Sequence, residues 1–519
     1  MDKIIISLEN KKVVCHENEM LSDVILANNI ALNMPCNAIG KCGKCKVEIK
    51  GERVEVSEMD KKLLTEEEIK NGVRLACCTK VFDKMEVVNI SKEESKEFKI
   101  VHNESELAVI NPVFEKYGIC VDIGTTTIVL KLYDKNGILE ITASKNPQRS
   151  MGADVIARIE KSLAGYSKEL QQVIVKELNN MIKIVCDKVG IDNTEIDYGV
   201  FTGNTTMLYL LTCKNPVSLS KAPFESETLF DLEILGEDIG IEIANNGKIY
   251  LPKCMSAFVG ADISTAILAS GMIEDGKNNL LIDIGTNGEV ALWKKDKLYT
   301  CSTAAGPTFE GAELSNGMSG MSGAIDKVFI QDDKVNISVI DDIQPKGICG
   351  SGVIDLLSTL VDIEAVDETG FLDEEILEEY GVLGENEDET SFMIKGINLT
   401  QKDVRKVQLA KGAICAGLLT VLKISDLSVD EVDNFYIAGG FGNFINLEKA
   451  VNIGLIPSGL LNKAKVIGNA ALDGCSMMLC NKDEIEHINK IVIKSQNIEL
   501  SSNKTFNEYY VESMMFDKM

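Results

Sequence analysis

The chain has 519 residues, 45% hydrophobic and 26% charged. That is too long for one ordinary domain and enough for roughly two to four core-bearing units. Its 53 basic and 80 acidic side chains leave a formal charge of −27, which argues against nucleic acid and anionic membrane as partners, since phosphate binding needs a positive footprint. No stretch reaches the roughly 20 apolar residues of a membrane span. The opening MDKIIISLENKK lacks a signal peptide's apolar core, so a cytoplasmic location is expected.

KIIISL and KKVVCH read as a hairpin of β-branched strands. EMLSDVILANN has helical apolar spacing at Met20, Leu21, Val24, Ile25 and Leu26. KVEIKG alternates as a strand, TEEEIKNGVRLACCTKV gives a short acidic helix and a strand-like segment, and KMEVVNI closes the unit. Between them runs MPCNAIGKCGKC. Fifteen cysteines without an export signal are not a disulfide framework. Cys15, Cys186, Cys213, Cys254 and Cys415 read as small buried hydrophobes. Cys36, Cys42, Cys45 and Cys77 need another account. A zinc ribbon wants a second spaced pair, whereas Cys77 and Cys78 are adjacent. A 2Fe–2S cluster wants three thiolates from one loop and a fourth from a distant segment, as here, with Gly40 and Gly43 letting the loop turn tightly.

Residues 1–93 resemble 2Fe–2S ferredoxin domains of the α+β, β-grasp fold, although the loop is one residue longer between its first two cysteines than the plant-type spacing. Cys77 follows RLA as the last ligand does in that family; Cys78 is the alternative.

Residues 94–116 are polar and aperiodic and are expected to be a linker. From 117 onward strands and helices alternate, implying α/β layers. Three glycine turns stand out. CVDIGTTTIVLKLYD brings an apolar strand into Asp122 and turns through Gly124, Thr125 and Thr126. LLIDIGTNGEVALW repeats that design about 160 residues later with Asp283, Gly285, Thr286 and Asn287. FYIAGGFGNFINLEKAVNIGL presents Gly439, Gly440 and Gly442 between a strand and a helix. Glycines and threonines in such turns wrap phosphate oxygens with N–H groups and hydroxyls. An aspartate at a strand end can hold Mg²⁺ or its waters. A Gly-Gly turn lets backbone pass close to a nucleoside. One such turn also fits an ordinary hairpin; two copies followed by GGFG suggest related lobes closing on one nucleotide.

That order is similar to the phosphate 1, phosphate 2 and adenosine segments of the actin, sugar-kinase and heat-shock chaperone superfamily. The resemblance implies a two-lobed α/β ATPase with ribonuclease-H-like lobes over 117–519: lobe I about 117–275, lobe II about 276–470, and a C-terminal segment 471–519. FTGNTTMLYLLT (201–212) and VRKVQLAKGAICAGLLTVLKIS (404–425) suit its hinge. Asp362 to Glu389 holds 13 acidic residues and no Lys or Arg and reads as a solvated helix and loop, with a dock for a basic partner as the minor reading.

A ferredoxin domain ahead of such an ATPase resembles the reductive activators of corrinoid proteins. NPQRSMGADVIARI (146–159), FTGNTTM (201–207), SAFVGADI (256–263), DIGTNGE (283–289), AAGPTFEGA (304–312), GICGSGVIDLL (347–357) and AGGFG (438–442) agree with that family. The 23-residue linker is expected to leave no room for the middle domain of longer members. The resemblance implies an enzyme that uses ATP and Mg²⁺ to return inactive Co(II) corrinoid to Co(I). Its electron would pass from a low-potential donor through a 2Fe–2S cluster, on a corrinoid protein or corrinoid-dependent methyltransferase subunit. Plant-type potentials near roughly −400 mV call for an additional drive, which nucleotide supplies by favouring one conformation. The expected roles are cluster ligation by the four cysteines, Mg²⁺ and water organisation by Asp122 and Asp283, and water orientation by Glu289. Phosphates would be cradled by Gly124, Thr125, Thr126, Gly285, Thr286 and Asn287, and the nucleoside by Gly439, Gly440 and Gly442. Asn204 and Thr205 suit either the cleft or a helix N-cap; AAGPTFE suits a loop over the cleft or towards the corrinoid. The resemblance leaves room for a homodimer. Rival readings are a ferredoxin-fused small-molecule kinase and an actin-like redox or nucleotide switch.

Overall fold

The structure, a computed structural model, describes residues 3–9, 11–28, 30, 32, 40, 43–50, 54–90, 107–222, 224–311, 313–384, 389–442 and 444–517. Cys36 and Cys42 lie outside these, as do residues 94–106 of the expected linker. Two compact units emerge: Met1–Glu97 with Asn146–Ile174, and Phe98–Lys145 with Val175–Met519.

In the first unit, β1 (Lys3–Leu8) and β2 (Lys11–His16) pair antiparallel as the expected hairpin. Ile4, Ile6 and Leu8 point inward in strict alternation. Helix α1 (Leu21–Ala27) brings Leu21, Val24 and Ile25 to the same core. Strand β3 (Lys46–Lys50), helices α2 (Glu58–Leu63) and α3 (Glu66–Lys70), β4 (Val73–Leu75) and β5 (Glu86–Ile90) complete a five-stranded sheet of order β2-β1-β5-β3-β4, with β1 and β5 parallel at its centre. This is the β-grasp arrangement. Cys15 is core, as expected.

Strands β6 (Tyr117–Ile123), β7 (Thr127–Asp134) and β8 (Gly137–Lys145) form an antiparallel meander. Helix α4 (Val155–Lys161) and the start of α5 (Ser167–Val189) fall in the first unit, where the NPQRSMGADVIARI segment closes on itself: the buried Arg158 guanidinium donates to the Gly152 carbonyl at 2.9 Å. Then come β9 (Ile196–Gly203), α6 (Thr205–Leu211), β10 (Leu232–Leu235), α7 (Gly236–Ile239), β11 (Lys248–Leu251) and α8 (Ala261–Ser270). The sheet order is β10-β11-β9-β6-β7-β8, with β9 parallel to both β6 and β11.

The same plan repeats in β12 (Asn279–Ile284), β13 (Gly288–Lys294) and β14 (Lys297–Thr303). It is interrupted by β15 (Ala324–Gln331), β16 (Lys334–Val339), β17 (Gly347–Ile348), α9 (Gly350–Asp362), α10 (Glu374–Glu379), β18 (Ser391–Ile394), β19 (Ile397–Thr400) and α11 (Gln401–Ile424). It resumes with β20 (Asn434–Ala438), α12 (Leu447–Asn452), β21 (Ala464–Gly468), α13 (Ala470–Cys480), α14 (Asp483–Val492), β22 (Ser495–Asn497) and α15 (Lys504–Ser513). In the order β21-β20-β12-β13-β14-β22 the first five strands match β11-β9-β6-β7-β8 of the first sheet, which has β10 as an extra edge strand where the second has β22 at its opposite edge. Both are the ribonuclease-H plan of three antiparallel strands flanked by parallel ones.

β12 is covered on both faces, which explains its continuous apolar run. Leu280 and Ile282 join Val353, Leu357 and Ile414 of α9 and α11. Leu281 faces the other way, into a core shared by Ile263 and Ile267 of α8 and Met478 of α13. That shared core joins the lobes.

Four details differ from the sequence reading. The helix after FTGN begins only at Thr205, because residues 201–203 end β9. The helix after GGFG begins at Leu447 rather than at the glycines. Cys213 is exposed. Residues 110–113 of the expected linker are tied to the end of α13, with Val113 N–H donating to Leu479 O at 3.1 Å. In addition, α11 is long and apolar enough to cross a bilayer by composition, but 78% of that window is buried. Its small residues serve packing: a Cβ at Gly417 would meet the Thr303 methyl at 2.4 Å.

Candidate nucleotide cleft and cluster site

Asp122 and Asp283 are each the penultimate residue of the first strand of their sheets. The neighbouring parallel strands pair with them equivalently, Asp122 with Thr202 and Asp283 with Ala438. The repeated DIGT turns thus occupy the same place in the two lobes. Gly203-Asn204 and Gly439-Gly440 also correspond, a relation invisible in their sequences.

Each turn closes on itself. Gly124 N–H donates to Thr127 O at 3.0 Å, and Gly285 N–H to Asn287 O at 2.9 Å. Asn204 caps α6 by accepting from Met207 N–H, while its amide donates to the Thr125 hydroxyl at 3.0 Å. It therefore both caps a helix and reaches the first turn. Gly439 has φ +91°, and a Cβ there would lie 2.5 Å from the Asp283 carboxylate; only glycine lets the third motif reach the second. Gly440 faces open space. Phe441 stacks on Phe309 of AAGPTFE with centroids 5.4 Å apart, and a Cβ on Gly350 at the start of α9 would strike both Phe309 O and Phe441. The motifs at 304–312, 347–352 and 438–442 therefore meet at one place.

Two site residues escaped the sequence reading. Asp262, at the start of α8, lies close enough to Asp283 and Asp122 to be repelled by both. Asn469 caps α13 by accepting from Leu472 N–H and donates its amide to Asp122 at 2.9 Å. The α8 and α13 termini follow the last parallel strand of their respective lobes and each reaches the opposite lobe's aspartate. The position after that strand was the available signal: both residues sit where a helix begins, just after a glycine, Gly260 or Gly468.

Burial drives the acidities. It raises Asp122 to about 6 against the opposing Asn469 hydrogen bond, and Asp283 to about 7 with repulsion from Asp122 added. Burial, then Asp283 and Asp122, raise Asp262 to about 8. Glu289, 9% exposed, is pushed well up by burial, Asp262 and Asp283, while Asn287 and Ser302 donate to it. Carboxylates crowded this way ask for a cation. Among the described residues no three acids close tightly enough to ligate one ion directly. That suits Mg²⁺, which takes one or two carboxylates and keeps its waters.

In the first unit, Cys45 and Cys77 Sγ atoms lie 3.3 Å apart, buried, and Cys78 Sγ is 3.6 Å from Cys77. Two thiolates on one tetrahedral metal at about 2.3 Å would sit roughly 3.8 Å apart, so a half-ångström opening admits one. Cys45 beside it, burial and Cys78 all push the Cys77 thiol well up. The pair fits a cluster's distal ligands.

Comparison with known proteins agrees. Residues 4–82 match the 2Fe-2S iron-sulfur cluster binding domain, 117–275 the RACo middle region, and 277–519 the C-terminal domain of RACo, the ASKHA domain. The corrinoid activation enzyme RamQ of Eubacterium limosum is 30% identical over 99% of both chains. The chain belongs to this family of corrinoid activators. The [Co(II) methylated amine-specific corrinoid protein] reductase of Methanosarcina barkeri is 24% identical over 76% of each chain. The solved reductive activator for corrinoid,iron-sulfur protein superposes with TM-score 0.71 and 28% identity, covering 99% of this chain and 98% of its own. The family's 2Fe–2S domain and ATP-binding fold are both present, as the cysteines and glycine turns led one to expect. The expectation that a middle region is missing does not hold: the middle-region model matches 117–275, which the sequence reading took as lobe I.

Proposed function

We propose that this protein is a cytoplasmic ATP-dependent reductive activator. It returns Co(II) to Co(I) on a corrinoid protein or corrinoid-dependent methyltransferase subunit, taking one electron from a low-potential donor. A 2Fe–2S cluster, when bound, supplies one-electron transfer. The observation that carries the reading is the placement of Asp122 and Asp283 at equivalent strand ends of two like sheets, with Asp262 near enough to be repelled by both, on a chain that also carries the ferredoxin fold.

In this reading Cys36, Cys42, Cys45 and Cys77 hold the cluster. The two DIGT turns offer backbone N–H groups and hydroxyls to phosphate oxygens. Asp122, Asp262 and Asp283 hold Mg²⁺ waters, and Asn469 keeps Asp122 oriented. Gly439, Gly440 and Gly442 form the nucleoside side. Hydrolysis of ATP to ADP and phosphate shifts the lobes between states of different nucleotide affinity, which is how nucleotide moves an equilibrium.

The test is anaerobic absorbance spectroscopy of a Co(II) corrinoid protein mixed with the full chain and a low-potential reductant. Co(I) is expected with ATP and not with a non-hydrolysable analogue. Co(I) formed equally without ATP, or none across several corrinoid proteins with the cluster present, would remove the reading.

A further inference from the structure

Glu310 ends the Pro307–Glu310 turn of AAGPTFE, and its two carboxylate oxygens are shared between the lobes. Oε2 accepts from the Thr126 hydroxyl at 2.5 Å, and Oε1 accepts from the Thr286 hydroxyl at 2.6 Å. Thr126 belongs to the first phosphate turn and Thr286 to the second. One anionic side chain therefore joins both turns, making the contacts that phosphate oxygens would make.

The loop beneath it is fixed. Thr308 and Phe309 are buried, Phe309 stacks on Phe441, and Gly311 (φ +77°) lies so close to Met318 that a Cβ would fall 2.0 Å from its carbonyl oxygen. Glu310 itself is only partly covered. A threonine hydroxyl has one proton to donate. Thr126 and Thr286 can give theirs to Glu310 or to a phosphate, not to both. An incoming terminal phosphate therefore meets competition from Glu310 for both hydroxyls.

We propose that Glu310 is the residue by which the cleft distinguishes nucleotides. It bridges the two phosphate turns until a terminal phosphate takes Thr126 and Thr286 from it, so that the length of the phosphate chain decides whether the bridge opens. Through Phe309 and Phe441, its release is felt at the nucleoside turn. This rests on the nucleotide reading of the cleft.

The test is calorimetric titration of full-length wild type, Glu310→Gln and Glu310→Ala with ATP·Mg and with ADP·Mg. Breaking two charge-assisted hydrogen bonds handicaps ATP by on the order of tenfold or more. Glu310→Ala is therefore expected to tighten ATP about tenfold while ADP changes less than about twofold. Glu310→Gln, which keeps one acceptor but no charge, should fall between. Weakened ATP binding with a raised Mg²⁺ requirement overturns the proposal and makes Glu310 a Mg²⁺ or water ligand. Equal shifts for both nucleotides also overturn it. Wild type that binds neither nucleotide overturns the nucleotide reading and this inference with it, whereas normal wild-type binding with an unchanged ATP/ADP ratio in the variants overturns this inference alone. If alanine unfolds the lobe, as read by Trp293 fluorescence, Glu310→Asp serves instead: one methylene shorter, it cannot span both threonines and should shift the ratio the same way.

Discussion

Replacing Asp283 by Asn should make the nucleotide-free protein more stable while destroying its ATPase. Asp283 is raised from 3.8 to about 7 by burial and by Asp122. At about 1.36 kcal/mol per pH unit, that corresponds to about 4 kcal/mol of destabilisation above pH 7. The side chain is only partly covered, so solvent relaxation reduces this to about 2 kcal/mol. The sign follows from linkage. A carboxyl whose folded-state value is raised binds a proton in the folded chain that the unfolded chain has lost. Stability therefore falls as pH rises from about 4 to about 7, and the full penalty is present above that. Asn carries no such penalty. The gain should be about 2 kcal/mol at pH 8 and shrink below about 0.5 kcal/mol at pH 4.5. The assay is urea unfolding in chelator, read by Trp293, the sole tryptophan, which pairs with Asn279 at the far end of the Asp283 strand. It reports this lobe without assuming that the whole chain unfolds in one step. With a slope of roughly 3 kcal/mol/M, the midpoint should rise by about 0.7 M at pH 8. An unchanged or lower midpoint at pH 8, or an equal gain at both pH values, would refute the reasoning.

Cys77→Ser should abolish the visible absorbance of a 2Fe–2S cluster and corrinoid reduction while sparing ATP hydrolysis, and Cys78→Ser should keep all three; the reverse pattern would hand the ligand role to Cys78. Asn469→Ala removes the hydrogen bond that lowers Asp122 and the cap of α13, so Asp122 should titrate higher, stability should drop by about 1 kcal/mol, and ATP·Mg should bind more weakly; unchanged binding in calorimetry would deny Asn469 a positioning role. Binding of ATP·Mg should release protons between pH 6 and 8, because Asp122, Asp283 and Asp262, raised to about 6, 7 and 8, must ionise to face the cation. Affinity should then fall as pH drops through that window, and calorimetry in buffers of different ionisation enthalpy would reveal a missing release.

The parts of the fold legible in the sequence were those where local chemistry and tertiary role coincide. The hairpin of β1 and β2 alternates because one face is core, and the DIGT turns announce themselves because the same four residues recur after two apolar strands. Helix α2 went unread. Its EMDKKL is almost wholly polar, and its clue was a capping box, Ser57 with Asp60, whose aspartate is fully buried and accepts from Leu75 N–H at 2.9 Å. Cys213 was misjudged because its apolar neighbours belong to α6, while it sits past the helix end at φ 52°.

The cleft was half legible for a related reason. A sequence shows which residues share a turn, not which turns meet. Asp262 and Asn469 act on aspartates of the opposite lobe, and Glu310 reaches Thr126 across 184 positions. These are the residues through which one lobe can sense the other. Asp122 and Asp283 name the chemistry, and they would read alike in a rigid ATPase. On the proposed reading, groups of one lobe partner the turn of the other, so that filling the cleft would change contacts on both sides at once. The crowding of Asp122, Asp262, Asp283 and Glu289 is then part of the device. On the proposed reading, carboxyls raised chiefly by burial make a cleft that gains most when a divalent cation and a phosphate chain arrive together.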